Sequence, residues 1–322
     1  MYHIRVLTGH QDEDDFGERL SDIAEVEYCS AAEDEELIER LEDADIVICE
    51  DEPLSGAVLK ELDDLKLIIV LGEDASNLDL MAAAERHIKV LCLSDYFEED
   101  VADHTCAMIL ALLRQIPEYA SDVRNNGRWQ FGSVPWPLHR VSANLIGIVG
   151  FGRVGQLVAA RLKPFGCNLQ AYDPFVSEKI MLEHDVRPVD FDKLLKTSDL
   201  ITLHLPLEES TRNMFQEEQM ETMKKGAMLV NCGSGGLVDE AALYHAVDDG
   251  HIRSAALDTL TMEHPSAMFL EMLGRPEFLL TPDVRAHSLE AEKEKYDDAE
   301  RYIRLFVEGK YDGIPFITSS EE

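Results

Sequence analysis

Short apolar runs alternate with helix-spaced apolar positions from one end of the chain to the other. Residues 4–8, 46–49, 67–71 and 90–93 read as strands buried on both faces, and residues 34–41, 54–62 and 78–86 read as helices between them. A longer helical stretch runs from about residue 99 to 115 and ends at Pro117, with Val101, Thr105, Ile109 and Leu112 along one face. Beyond it the strand pattern resumes at residues 200–204, 227–231, 254–257 and 278–281. A closing helix over residues 288–308 carries Ala291, Tyr296, Ala299, Ile303 and Phe306 on its apolar side. Alternation of this kind predicts an α/β fold of two doubly wound parallel-sheet domains. The closing helix is expected to return to the first domain, which would otherwise leave one face uncovered.

One stretch of this pattern carries chemistry. Residues 146–174 read IGIVGFGRVGQLVAARLKPFGCNLQAYDP: a strand, three spaced glycines, an amphipathic helix, and a second strand that stops at Asp173. Gly150 permits the tight strand-to-helix turn, Gly152 lets a pyrophosphate approach the backbone, and Gly155 lets helix and strand pack closely. The helix N-terminus presents N–H groups and a positive dipole end to phosphate, with Arg153 and Val154 in its first turn. Asp173, followed by Pro174, is placed to accept hydrogen bonds from both hydroxyls of an adenosine ribose. It would repel a 2′-phosphate, so the expected cofactor is NAD, not NADP.

Composition narrows the setting. The chain has 322 residues and 45% hydrophobic content, enough for two packed cores. Its longest apolar run, residues 106–113, is too short to span a bilayer, and MYHIRVLTG reads as a first strand without a signal-peptide pattern. Cys29, Cys49, Cys92, Cys106, Cys167 and Cys232 are scattered without a CxxC pair, as expected of buried thiols in a reducing cytoplasm. No His/Cys cluster has metal-ligand spacing, so no metal is expected. Sixty-four acidic residues face 29 basic ones, a net charge of −35, which makes nucleic acid and anionic membrane poor partners. The acids are spread along the chain. With 12 lysines against 17 arginines, they read either as a well-solvated surface or as adaptation to high salt.

Several segments together give a resemblance. LKLIIVLGEDASNLDLMAAAERHIKV, VADHTCAMILALLRQIP, the Gly150 motif, HLPLEESTRNMF, MKKGAMLVNCGSGGLVDEAAL and SAALDTLTMEHP occur in the order and spacing of the D-isomer-specific 2-hydroxyacid dehydrogenase family, which the chain resembles over nearly its full length. The resemblance implies a flavodoxin-like substrate domain over residues 1–98 and 288–322, and a Rossmann NAD-binding domain over residues 99–287. It implies further cofactor contacts at Thr105, His204, Leu205, Pro206, Thr211, Cys232, Gly233 and Asp258, the last accepting from the nicotinamide carboxamide. It also implies a homodimer, in which the arm holding Trp129 and Trp136 covers a neighbour.

The chain departs from the family where the chemistry is done. Family members use a histidine to exchange a proton, an acid to orient it, and an arginine to grip the substrate carboxylate. By resemblance the acid is Glu263, while the arginine position holds Ser234 and the histidine position holds Asp283. The carboxylate-binding loop, usually small residues, reads Gly72-Glu73-Asp74. A carboxylate about 4 Å from a substrate carboxylate costs on the order of 4 kcal/mol at an effective dielectric near 20. A small 2-keto acid is therefore a poor substrate. Glu263 and Asp283 either share a proton that serves as a general acid, or are a relic and a surface acid. Arg285 and His287 either supply a displaced cation and proton donor, or are respectively solvated and at the start of the last helix. His104 either faces the cofactor or is a satisfied histidine on its helix. The expected function is hydride transfer to or from a carbonyl or hydroxyl compound other than a standard small 2-keto acid. The alternative is a catalytically inactive, NAD(H)-responsive regulatory protein.

Overall fold

The computed structural model describes residues 1–7, 16–30, 33–50, 52–72, 75–132, 134–261 and 267–318, and its contacts divide the chain into two units. Unit 1 comprises Met1–Phe97 and Ser288–Glu322, and unit 2 comprises Glu98–His287.

Unit 1 begins with β1 (Tyr2–Leu7), α1 (Phe16–Leu20), β2 (Ala24–Cys29), α2 (Asp34–Leu41), β3 (Ile46–Cys49), α3 (Gly56–Glu61), β4 (Leu67–Val70), α4 (Leu80–Glu85) and β5 (Lys89–Cys92). The strands form one parallel sheet in the order β2-β1-β3-β4-β5. Successive residues of a strand feed opposite faces. Val47 and Cys49 join Ile68, Val70 and Val90 in one core, while Ile46 and Ile48 join Ile4, Leu67, Ile69 and Leu91 in the other. That double burial is why β3 and β4 read IVIC and LIIV, with no polar alternation.

Unit 2 opens with α5 (Glu98–Leu113) and α6 (Ile116–Asn126) and continues through β6 (Leu145–Val149), α7 (Arg153–Leu162), β7 (Asn168–Tyr172), α8 (Glu178–Glu183), β8 (Arg187–Pro188), α9 (Phe191–Thr197) and β9 (Leu200–Leu203). It ends with α10 (Glu217–Thr222), β10 (Ala227–Asn231), α11 (Glu240–Asp248), β11 (Ile252–Leu257), α12 (Ala267–Leu273) and β12 (Phe278–Leu280). Its seven strands are all parallel, in the order β12-β11-β10-β9-β6-β7-β8.

Back in unit 1, α13 (Leu289–Val307) starts at Ser288, whose hydroxyl accepts from the Ala291 N–H at 2.9 Å. It lays Tyr296, Ala299, Ile303 and Phe306 onto the Ile46 side of the sheet. Phe16 of α1 meets Tyr296 with ring centroids 4.8 Å apart.

The long helix expected over residues 99–115 is α5, and a second helix, α6, follows it directly. Gln115 adopts a left-handed conformation (φ 55°) between α5 and α6, and its side-chain amide donates to the carbonyls of Trp136 and Pro137 at 3.2 Å each. Pro117 falls in the first turn of α6, where its missing N–H costs nothing. Val101, Thr105, Ile109 and Leu112 are all buried.

Candidate functional site

The sheet of unit 2 reverses its winding at β6. From there the chain builds outward to β7 and β8, then returns to place β9 on the other side. In such sheets ligands bind outside the carboxyl ends of the strands at that reversal. The sequence puts the glycine motif there. Gly150 leaves β6 with φ 89°, and a Cβ on it would stand 2.3 Å from the His204 carbonyl oxygen. A Cβ on Gly155 would stand 2.3 Å from the Gly150 carbonyl oxygen. Gly152 is different: nothing lies within 4 Å of where its Cβ would be. Two glycines are thus required by the protein's own packing, while the third keeps open space at the N-terminus of α7. That open cradle fits a pyrophosphate. Val154 is half-buried, and the exposed Arg153 pairs with Glu98 of α5 at 2.5 Å.

Asp173 closes the turn. Its Oδ2 accepts from the Phe151 N–H at 2.7 Å, and its Oδ1 accepts from Phe175 at 2.8 Å and Val176 at 3.1 Å. An ionised carboxylate offers about four acceptor sites, so some capacity remains for a ribose hydroxyl. Pro174 beside it is exposed.

At the end of β9, the imidazole Nε2 of His204 lies 3.0 Å from Thr202 Oγ1. Burial pushes this histidine down to about 4, so it is neutral at neutral pH. The following Leu205-Pro206 segment is held by Thr211, whose hydroxyl donates to the Pro206 carbonyl at 2.7 Å and accepts from the Glu208 N–H at 2.8 Å. After β10, Cys232 is fully buried with its Sγ 3.5 Å from Met108 Sδ. Burial raises its thiol to about 12, which leaves no thiolate for covalent chemistry. The Gly233 N–H donates to Asn231 Oδ1 at 3.0 Å. Thr105, from α5, is fully buried, with its hydroxyl beside the Cys232 thiol.

Ser234 stands in a turn built by close approach. Its carbonyl accepts from Asn231 Nδ2 at 3.0 Å, and a Cβ on the next residue, Gly235, would lie 2.2 Å from the Leu260 carbonyl carbon.

Beyond β11 and β12 lies a compact charged group. Asp258 is fully buried; its Oδ1 accepts from the Thr281 hydroxyl at 2.5 Å and the Val284 N–H at 3.2 Å, and its Oδ2 accepts from the Arg285 N–H at 3.1 Å. These bonds commit most of its acceptor capacity to the protein. Asp283 sits in the left-handed region (φ 53°) with an exposed side chain, and its Oδ1 pairs with the guanidinium of Arg285. Arg285 also lies 3.6 Å from Asp258 Oδ2 and is only 7% exposed. The expectation of a solvated Arg285 is therefore corrected. Two carboxylates flank it, and the backbone turn at Asp283 folds it inward. His287 is exposed and directly precedes Ser288.

The glycine turn, Asp173, His204, Cys232, Ser234, Asp258 and Asp283 thus follow strands of one sheet at its carboxyl edge. Gly72 follows β4 in unit 1. Glu73, Asp74 and Glu263 lie outside the described residues. Sequence reasoning undervalued the Arg285–Asp283–Asp258 cluster, whose only signal was three charges in the Thr281–His287 stretch and at the end of β11. Among the described residues no group of His, Cys, Asp or Glu could hold a metal ion, and no helix is long and apolar enough to cross a membrane.

Comparisons agree with this architecture. Residues 106–284 match the family model described as "D-isomer specific 2-hydroxyacid dehydrogenase, NAD binding domain". The dinucleotide of unit 2 is accordingly NAD. The chain is 36% identical over 289 residues to a glycerate dehydrogenase of Methylorubrum extorquens, covering 88% of this chain and 89% of that protein. It is 34% identical over 296 residues to a D-3-phosphoglycerate dehydrogenase of Methanocaldococcus jannaschii, covering 90% of this chain but 55% of that protein. A D-lactate dehydrogenase from Aquifex aeolicus, solved with NAD and lactic acid, shares the fold with a TM-score of 0.86 at 24% identity, over 99% of this chain and 100% of that one.

Proposed function

This chain belongs to the D-isomer-specific 2-hydroxyacid dehydrogenase family, and we propose that it is an NAD-dependent oxidoreductase whose substrate is not a small 2-keto acid. One observation carries the reading: Asp283, tied to Arg285, stands where the family resemblance expects a free proton-exchanging histidine. Ser234 stands where it expects the carboxylate-gripping arginine, so a bidentate, charge-assisted pair with a substrate carboxylate is lost. Bound NAD(H) supplies or accepts the hydride. The glycine turn, with Arg153, Val154 and Thr105, holds the pyrophosphate side. Asp173 holds the adenosine ribose, while His204 to Pro206, Thr211, Cys232, Gly233 and Asp258 line the remainder. In unit 2 the substrate meets Ser234 and the carboxylate of Asp283. That set favours a carbonyl or hydroxyl compound that is neutral, or that carries a donor or cation toward Asp283.

The test is turnover of pyruvate, glyoxylate and hydroxypyruvate against aldehydes, neutral ketones and amino-bearing ketones, with NADH, in low and high salt. The expected outcome is negligible activity on the first group and measurable activity on one of the others. Ser234→Arg combined with Asp283→His should gain reduction of 2-keto acids, by at least about 100-fold if the two groups are the missing ones. Brisk pyruvate reduction by the unmodified chain overturns the proposal. Tight NADH binding with no turnover of any compound favours the regulatory, non-catalytic reading instead.

The chain is further proposed to act as a cytoplasmic homodimer. In its support, Ile116, Val123, Trp129 (92% exposed) and Phe131 (83% exposed) leave apolar surface along α6 and the arm after it.

A further inference from the structure

The reading above leaves one chemical need unmet, since a carbonyl reduced by hydride must also receive a proton. His104, in the second turn of α5, has an arrangement suited to that need. Its Nε2 lies 3.0 Å from Thr281 Oγ1 and 3.3 Å from Asp258 Oδ1. The Thr281 hydroxyl spends its proton on Asp258, so its lone pairs face the ring. Nε2 must then carry the N–H that both oxygens accept. Among the described residues Nδ1 has no hydrogen-bond partner, and the side chain is 23% exposed. A buried carboxylate that fixes one ring nitrogen and leaves the other open is how proteins prepare an imidazole for proton transfer.

The surrounding charges favour the same role. Asp258 and Asp283 bring two negative charges from the ends of β11 and β12, and Arg285 returns one positive charge. On the helix itself Asp103 is taken by Arg161 of α7, and the neighbouring Cys232 at the end of β10 stays a neutral thiol.

We infer that His104, oriented by Asp258 and Thr281, is the proton donor to the substrate oxygen in this chain. The inference rests on the hydride-transfer reading. In reduction a bound reduced dinucleotide would supply the hydride pair to the carbonyl carbon, and the C=O π pair would move onto oxygen. That oxygen takes the Nδ1 proton, and the neutral imidazole regains a proton from solvent. Oxidation runs the same steps in reverse, with Nδ1 as the base.

Two measurements test this on the full chain. The first is the pH profile of kcat for whichever compound of the panel is turned over. His104→Gln should lower kcat by roughly 100-fold or more and remove the ionisation that shapes the profile, while the Kd for NADH changes by less than about threefold. The second is calorimetry of NAD+ binding in buffers of different ionisation enthalpy. Binding of the positively charged dinucleotide should expel a fraction of a proton from the parent, and the release should vanish in His104→Gln. His104→Asn repeats both measurements should the glutamine variant misfold. An unchanged pH profile, or a proton release that is absent from the parent or persists in the variants, overturns the donor role while leaving hydride transfer standing. No turnover of any compound by the parent overturns the reading beneath it, and the donor role with it.

Discussion

At the residue scale, a histidine held neutral by burial makes the fold sensitive to acid. His204 is lowered to about 4 from an ordinary 6.5. The unfolded chain therefore binds the extra proton first as pH falls. The stability tied to this group is complete above about pH 6.5 and is lost as pH falls toward 4, by up to about 3 kcal/mol. Melting curves of the parent and of His204→Gln should diverge across that window, with the parent falling more steeply. Parallel curves would mean that the imidazole is not held neutral. The importance of the β9 end was legible from the strand pattern and HLP. The neutral state was not, because it depends on atoms brought in from neighbouring strands. The same limit hid Arg285: two residues from Asp283 in sequence, it is buried between Asp283 and Asp258, a carboxylate from the end of another strand.

At the element scale, the strand–turn–helix from β6 to α7 separates what the fold needs from what a ligand needs. Gly150→Ala places a methyl group 2.3 Å from a backbone oxygen at φ 89°, and should cost roughly 2–4 kcal/mol in denaturant unfolding. Gly152→Ala meets nothing within 4 Å, and should cost less than about 1 kcal/mol. It should nevertheless weaken NADH binding at least about tenfold, by filling the space the pyrophosphate needs. Equal loss of stability in both variants would refute this division. Local pattern carried most elements here, because runs such as LIIV and AMLVN are buried on both faces. The strand β2 escaped it. AEVEYC lies at the edge of its sheet, with Glu25 and Glu27 interrupting the apolar run. Helix α6 escaped it too, and the left-handed Gln115 before it is held by carbonyls some twenty residues later.

At the scale of the whole molecule, charge and exposed apolar surface set the behaviour. A net charge of −35 repels itself in dilute buffer. Salt shortens the reach of that repulsion to about 3 Å at 1 M. The melting temperature should therefore rise with potassium chloride well into the molar range, and a flat or falling curve would argue against adaptation to high salt. Light scattering tests the proposed pairing of chains. Trp129→Ser with Phe131→Ser should convert a dimer to a monomer with little change in the stability of either unit, because neither ring contributes to a core. The division of the chain has a consequence for its birth on the ribosome. Unit 2 is one uninterrupted stretch, whereas unit 1 draws on both ends of the polypeptide. During synthesis the face formed by Ile4, Ile46, Ile48 and Ile69 stays bare until Tyr296, Ala299, Ile303 and Phe306 emerge. The segment made first is thus finished last, and a nascent chain that stalls near His287 exposes a greasy sheet to chaperones and proteases.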